Sequence, residues 1–341
     1  MRGEGSRVGS LPGSRHPGDS AASVCIWGDG AVGIGLAVAL SRTRPVLLVG
    51  PPGVDDSTVV IESSGSITGS ARVRRVPADR APASPVCLMA VKAFDLAAAS
   101  RQSRLAGNAT HVCLCNGMGL EEQWGPGWDE VESAVVLGGF ERTGGLSVAT
   151  HPGGLMVLDG GIAAGLFEGS GVVLTPCDRR GLAVTRWAKW LVNSSLNPVA
   201  ALSSRRNDEL DAAGLAPLVW SVVSEILPVV PGEFRDEAME KASGMLRFLL
   251  AESRNRCSML QDMDAGRRTE IDFMTGLAAG RLRDRCPIAF ALSSLVRAGR
   301  PGASSGTIPG SRISRSVRRL SRTVSHRNSW DTGEGLRRRG S

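Results

Sequence analysis

The run Trp27-Gly28-Asp29-Gly30-Ala31-Val32-Gly33 constrains the fold more than any other part of this chain. It fits G-x-G-x-x-G. An apolar strand-like stretch, Ser23–Trp27, leads in, and an apolar helix-like stretch, Ala31–Ser41, leads out. In that setting Gly28 permits the tight turn, Gly30 lets backbone N–H groups approach a pyrophosphate, and Gly33 lets helix and strand pack closely. The helix N-terminus adds partial positive charge. With 43 glycines in the chain, such a turn can also arise without a ligand, so its weight comes from the strand–turn–helix setting.

The rest of the first half continues the pattern. Strand-like runs follow at Pro45–Val49, Val59–Glu62, Ala71–Val76, Pro85–Val91 and His111–Cys115, with helical character over Phe94–Leu105. This alternation predicts a parallel α/β sheet. Val135–Phe140, Leu146–Thr150, Leu155–Asp159 and Val172–Leu174 read as antiparallel additions between glycine-rich turns. From Gly181 the periodicity turns helical, over Leu182–Leu196, Gly214–Leu227, Glu233–Leu250, Ser258–Ala265 and Glu270–Arg283. The fold class expected is an α/β N-terminal Rossmann-like dinucleotide-binding domain (23–180) followed by an all-α C-terminal domain (181–300). Residues 1–22 are expected to be a disordered leader and 301–341 a basic disordered tail.

Charge and composition exclude several classes of function. The formal net charge is +7, and residues 301–341 alone hold nine Arg against Asp331 and Glu334, so the remaining residues balance. A neutral body with a basic tail argues against specific nucleic-acid binding, and the tail is expected to be dispensable for folding. There is no run long and apolar enough for a spanning helix, so no membrane partner is expected. The seven Cys form no C-x-x-C pair, which fits a reducing, cytoplasmic setting. Of the four His, His16 and His326 lie near the ends, and His111 and His151 have no ligand or triad spacing. No metal site and no Ser–His–Asp triad are therefore expected.

The stretch Lys189-Trp190-Leu191-Val192-Asn193-Ser194-Ser195-Leu196-Asn197-Pro198 carries the chemistry. On a helix Lys189, Asn193 and Asn197 drift by only about 80°, so they form one polar stripe. Pro198 cannot donate to the Ser194 carbonyl, which predicts a kink or helix end. The chain has three Lys, at 92, 189 and 241, against 37 Arg. A Lys kept in so Arg-rich a chain suggests a compact charge or a transferable proton; a solvated Lys beside capping Asn residues is the plainer reading. Further on, Asn255 and Ser258 can share a helix face, and Glu270 opens a helix after the break at Gly266. Taken alone, Glu270 is accounted for by the helix dipole.

The segments GDGAVG, VKAFD, CNGMG, KWLVNSSLNPVAAL and NRCSMLQDMDAGRRTEIDFMTG, in this order between about Val24 and Ala298, together resemble the ketopantoate reductase (2-dehydropantoate 2-reductase) family. The resemblance implies NADPH-dependent reduction of ketopantoate to pantoate, a step of pantothenate biosynthesis, with NAD as a second cofactor option. It implies that Gly28, Asp29, Gly30, Ala31, Val32 and Gly33 cradle the pyrophosphate and that Lys92 lies near the adenosine end. Asn116 would stand near nicotinamide and substrate, and Lys189 would be the proton donor. Glu270 would be the carboxylate balancing it and touching cofactor. Asn193, Asn197, Asn207, Asn255 and Ser258 would contact substrate. The small-molecule partner is a 2-ketoacid, with a homodimer left open. Reduction of another 2-ketoacid and a catalytically inactive nucleotide-binding sensor or scaffold are the alternatives. The sequence departs from the family where Pro51 replaces an Arg after the second strand and Asp95 stands where Gln is common. Both weaken the expected hold on a 2′-phosphate and limit any NADPH preference to below about 100-fold.

Overall fold

The computed structural model describes residues 24–299. The expected leader and basic tail lie outside the described residues. Strand β1 (Val24–Trp27) leads into helix α1 (Ala31–Leu40), followed by β2 (Val46–Gly50), β3 (Ser57–Gly65), β4 (Gly69–Pro77) and β5 (Val86–Met89). Then come α2 (Leu96–Ala106), β6 (Thr110–Cys113), α3 (Leu120–Trp124), β7 (Glu132–Ser133), β8 (Val135–Val136), β9 (Phe140–Gly144), β10 (Ser147–Thr150), β11 (Leu155–Leu158), α4 (Ile162–Phe167) and β12 (Leu174–Cys177). The remaining elements are helical: α5 (Arg179–Ser203), α6 (Glu209–Ala212), α7 (Ala216–Ile226), α8 (Gly232–Glu252), α9 (Ser258–Asp264), α10 (Thr275–Leu282) and α11 (Pro287–Ala298).

A nine-stranded sheet runs in the order β7-β6-β5-β1-β2-β4-β3-β10-β9. From β7 through β4 every neighbouring pair is parallel. Both faces of β1 are covered: Val24 and Ile26 enter one apolar cluster with α1, and Cys25 and Trp27 enter another with Leu96 and Ala99 of α2. That double burial explains why these strands read as unbroken apolar runs. The strand order reverses between β1 and β5, so a crevice opens at their carboxyl ends, the usual ligand position in such sheets.

The strands read as antiparallel additions pair differently. β10 is antiparallel to β9 but parallel to β3, which is itself antiparallel to β4. β11 is antiparallel to β8 and parallel to β12 in a separate three-stranded sheet. The strand expected at Val172–Leu174 is formed by Leu174–Cys177. Cys25, Cys87 and Cys113 are buried free thiols on adjacent strands, as small hydrophobes are.

The C-terminal helices bury a second core centred on α5, which packs against α7, α8, α9 and α11. Of the two outcomes expected at Pro198, the helix end does not occur: α5 continues to Ser203. The cause lies far along the chain: the hydroxyl of buried Thr275 donates to the Ser194 carbonyl at 2.5 Å. The acceptor that Pro198 cannot serve is thereby satisfied. Thr275→Val, which keeps the volume and removes the donor, is expected to cost about 1–2 kcal/mol of stability. Chemical denaturation checks it; an unchanged midpoint would mean that the carbonyl finds another donor. The helix expected over Glu270–Arg283 is likewise divided. A short 3-10 turn, Ile271–Phe273, is separated from α10 by Met274, and Glu270 precedes the turn. Among the described residues no helix is long and apolar enough to cross a membrane.

Candidate active site

The glycine turn sits at the carboxyl end of β1, tied to the neighbouring strands by Gly28 N donating to Val49 O at 2.9 Å and Ala90 N donating to Trp27 O at 2.8 Å. Gly28 has φ +113°, and a Cβ there would lie 2.6 Å from the Ala90 carbonyl oxygen. A Cβ on Gly33 would collide with the Gly28 carbonyl oxygen, whereas Gly30 faces open space. Two glycines are thus required by the protein's own packing, and the third leaves room for a ligand. Helix α1 starts with neither a side-chain cap nor an acidic residue in its first turn. Its free N–H groups and dipole fit a diphosphate.

Beside this turn opens a cavity of about 490 Å³ between the two halves of the molecule. Gly28, Asp29, Gly30, Ala31 and Val32 form one wall, and Lys92 and Asn116 line it from the ends of β5 and β6. From the helical half come Ser258 and Asp262 of α9, with Glu270. The Lys92 ammonium lies 2.5 Å from Asp262 Oδ2 and 3.5 Å from Glu270 Oε2. Glu270 is 4% exposed, and its other oxygen accepts from the Ala93 backbone N–H at 2.9 Å. Arg267 Nε adds a second cation on Asp262 at 3.0 Å. Burial works against the charge on Lys92, but Glu270 and Asp262 outweigh it and hold the pKa above the usual lysine range.

A small recess continues past Asn116, lined by Lys189 and Asn193 of α5 with Val136 and Arg186. Lys189 Nζ donates to Asn116 Oδ1 at 2.6 Å and to the Val136 carbonyl. Burial pushes its pKa down to about 8, with Glu270 opposing. Two lysines with different tasks result. Lys92 is locked between carboxylates, while Lys189, held only by neutral oxygens, has a proton it can give up near neutral pH.

Other expected site residues are placed elsewhere. Glu270 makes its ion pair with Lys92, while its charge opposes the lowering of the Lys189 pKa. Asn197 is buried at 4% exposure with its amide nitrogen 4.0 Å from Met274 Sδ, a core position on α5. Asn207 is also buried and reaches Ser253 Oγ at 3.4 Å, while its backbone N–H donates to Asn255 O at 3.2 Å. It therefore braces the loop that carries Asn255 and does not point into the cavity. Asn255 sits beside Gly139 and has a buried side-chain oxygen with no partner. Asp262 went unnoticed in the sequence, although it shares a face of α9 with Ser258 at helical spacing. Arg75, which pairs with Asp29, and Arg142, whose Nη1 donates to the Asp29 carbonyl at 3.2 Å, had no local signal at all. Among the described residues no cluster of three or more His, Cys, Asp or Glu could hold a metal ion.

Fold and cavity define a two-part protein, a Rossmann-type α/β half with a helical half beside it. The family description "Ketopantoate reductase PanE/ApbA" matches residues 24–158, and "Ketopantoate reductase PanE/ApbA C terminal" matches 182–298. The chain belongs to the ketopantoate reductase family, a family of oxidoreductases. A 2-dehydropantoate 2-reductase of Archaeoglobus fulgidus is 26% identical over 230 residues, covering 62% of this chain and 75% of that one. One of Vibrio cholerae is 34% identical over 91 residues, 26% of this chain and less than a third (31%) of the relative. Among solved structures, a PanE/ApbA family ketopantoate reductase from Ralstonia eutropha JMP134 superposes with a TM-score of 0.65 at 24% identity, over 81% of this chain and 97% of its own. A D-mandelate dehydrogenase, solved with NADH and anilino(oxo)acetate, gives a TM-score of 0.68 at 18% identity with the same coverages. At these identities the structures speak for the fold alone.

Proposed function

We propose that the protein reduces a 2-ketoacid, ketopantoate, to the 2-hydroxy acid with NADH or NADPH as reductant. The observation that carries this reading is Lys189, a buried amine hydrogen-bonded to Asn116, the residue that lines both the small recess of Lys189 and the cavity beginning at the glycine turn. When bound, the reduced nicotinamide supplies the hydride that forms the new C–H bond. The electron pair of the carbonyl π bond then moves to oxygen, and that oxygen takes a proton from Lys189 Nζ. Asn116 Oδ1 and the Val136 carbonyl hold the ammonium in place before the transfer. Glu270 keeps Lys92 and the Ala93 backbone in position beneath the cofactor site. Asn193 and Ser258 offer hydrogen bonds that orient the carboxylate and hydroxyl of the substrate. Lys189 lies well placed for this because its proton is transferable, whereas that on Lys92 is held by two carboxylates.

The assay is cofactor oxidation with ketopantoate and with a panel of other 2-ketoacids, including an aryl-substituted one of the kind related to mandelate. Ketopantoate is expected to give the highest kcat/KM. A better aryl substrate would move the reading to another 2-ketoacid; cofactor binding without turnover on any of them would favour a nucleotide sensor.

The pH dependence follows from Lys189. Reduction needs the protonated amine, so kcat is expected to be level below about pH 8 and to fall roughly tenfold per unit above it. Oxidation of the hydroxy acid needs the free amine and should rise through the same range. Profiles in both directions check this, and an inflection that survives Lys189→Ala would assign it to another group.

A further inference from the structure

The strand β2 ends in Gly50 followed by Pro51 and Pro52, so it offers neither the acid that usually receives the adenosine ribose hydroxyls nor the Arg that usually receives a 2′-phosphate. The place is not empty. A Cβ on Gly50 would lie 3.0 Å from Asp29 Oδ2 and 3.1 Å from Arg75 Nε. Two neighbouring elements therefore send side chains to where a residue at the end of β2 would act: Asp29 from the glycine turn and Arg75 from β4. They form an ion pair through Asp29 Oδ2 and Arg75 Nη2, with side-chain exposures of 15% and 22%. Asp29 lines the large cavity, whereas Arg75 Nε is buried and has no hydrogen-bond partner.

Two further arginines near this end are engaged as well. Arg74 holds Asp56 through Nε at 2.9 Å and Nη2 at 2.8 Å. Arg142 donates to the carbonyls of Asp29 and Gly145 at 3.2 and 2.7 Å. A 2′-phosphate at this place would meet the Asp29 carboxylate with the nearest guanidinium already neutralised by it. A ribose diol would meet a carboxylate held in place from behind.

Resting on the dinucleotide reading above, we infer that Asp29, braced by Arg75, takes over from the glycine turn the role of the missing acid at the end of β2, receives the adenosine ribose hydroxyls, and makes NADH the preferred cofactor. The family's usual dependence on a basic residue after the second strand is in this chain replaced by selection through an acid on the turn itself.

The test is binding, measured apart from turnover. Dissociation constants for NADH and NADPH are obtained by titration calorimetry on the wild-type protein and on Asp29→Asn and Arg75→Met. The wild type is expected to bind NADH at least about tenfold more tightly than NADPH, and Asp29→Asn to shift that ratio by at least about tenfold towards NADPH. Arg75→Met, which frees the carboxylate without supplying a cation, should weaken NADPH further. Because a variant can fail to fold, the wild type is also titrated with 5′-ADP and 2′,5′-ADP, and 5′-ADP should bind more tightly. Tighter binding of NADPH and 2′,5′-ADP, abolished by Arg75→Met, would show that Arg75 leaves Asp29 to clamp the phosphate and would overturn the inference alone. Failure of both dinucleotides to bind would overturn the dinucleotide reading with it.

Discussion

Replacing Lys189 with alanine is expected to lower kcat by on the order of 10²–10⁴ while leaving cofactor affinity within a few-fold. The expectation rests on the difference between the two lysines of the site. Lys92 lies within 3.5 Å of Glu270 and 2.5 Å of Asp262, and these carboxylates raise its pKa against the effect of burial. Lys189 has no carboxylate partner in hydrogen-bond reach. Its hydrogen bonds go to Asn116 Oδ1 and the Val136 carbonyl, and burial brings its pKa to about 8. An amine with a pKa near the operating pH is well matched to donate a proton and be reprotonated before the next turnover. Lys189→Arg should fail nearly as badly, because a guanidinium keeps the charge but does not release its proton. The glycine turn and β2 lie apart from Lys189, so cofactor binding should survive in both variants. Near wild-type kcat at saturating substrate in Lys189→Ala would remove this residue from the reaction.

Lys92→Met should be the most damaging change for stability. It leaves two carboxylates, Asp262 with a 5% exposed side chain and Glu270 with 4%, without their shared cation. Arg267 still reaches Asp262 at 3.0 Å, but Glu270 keeps only the Ala93 N–H. Removing one partner of such a cluster costs about 2–3 kcal/mol, allowing for the partial exposure of Lys92. Glu270→Gln in the Lys92→Met background should recover part of the loss, since the buried charge goes and an acceptor for Ala93 remains. Thermal unfolding of the three variants checks the cluster. If the double variant were no more stable than Lys92→Met, the two groups would not be coupled.

The parts of this molecule that depend on local chemistry were readable from the sequence. The glycine turn lies between β1 and α1 as its spacing required, because the steric needs of Gly28 and Gly33 involve only the adjoining strand ends and the turn itself. The apolar runs of β1, β2, β5 and β6 follow from burial on both faces, and the alignment of Lys189 with Asn193 on α5 from a period of about 3.6. What escaped the sequence depends on groups far apart along the chain. Pro198 does not end α5 because the Thr275 hydroxyl serves the Ser194 carbonyl. Glu270 pairs with Lys92 because the helical half folds back over the end of β5. Asn197 and Asn207 are expected as substrate contacts from the resemblance, and an amide in a polar stripe or a loop carries no mark of the direction it faces. In the structure one faces Met274 and the other Ser253. The Asp29–Arg75 pair beside the end of β2 left no signal in the sequence, which shows only Pro51 there. The pairing of β3 with β10 follows from tertiary wrapping around α1 that no local pattern specifies.

The central claim, a hydride and a Lys189 proton added across the 2-keto group, is tested most directly by product analysis with a reduced nicotinamide cofactor deuterated at C4. The full-length protein is incubated with ketopantoate and the deuterated NADH or NADPH, and the hydroxy acid is analysed by NMR and mass spectrometry. The account predicts pantoate carrying one deuterium at C2, formed as rapidly as cofactor is oxidised and far more slowly by Lys189→Ala. Cofactor bound in the cavity without any deuterated 2-hydroxy acid, or deuterated product formed equally fast by wild type and Lys189→Ala, would contradict it.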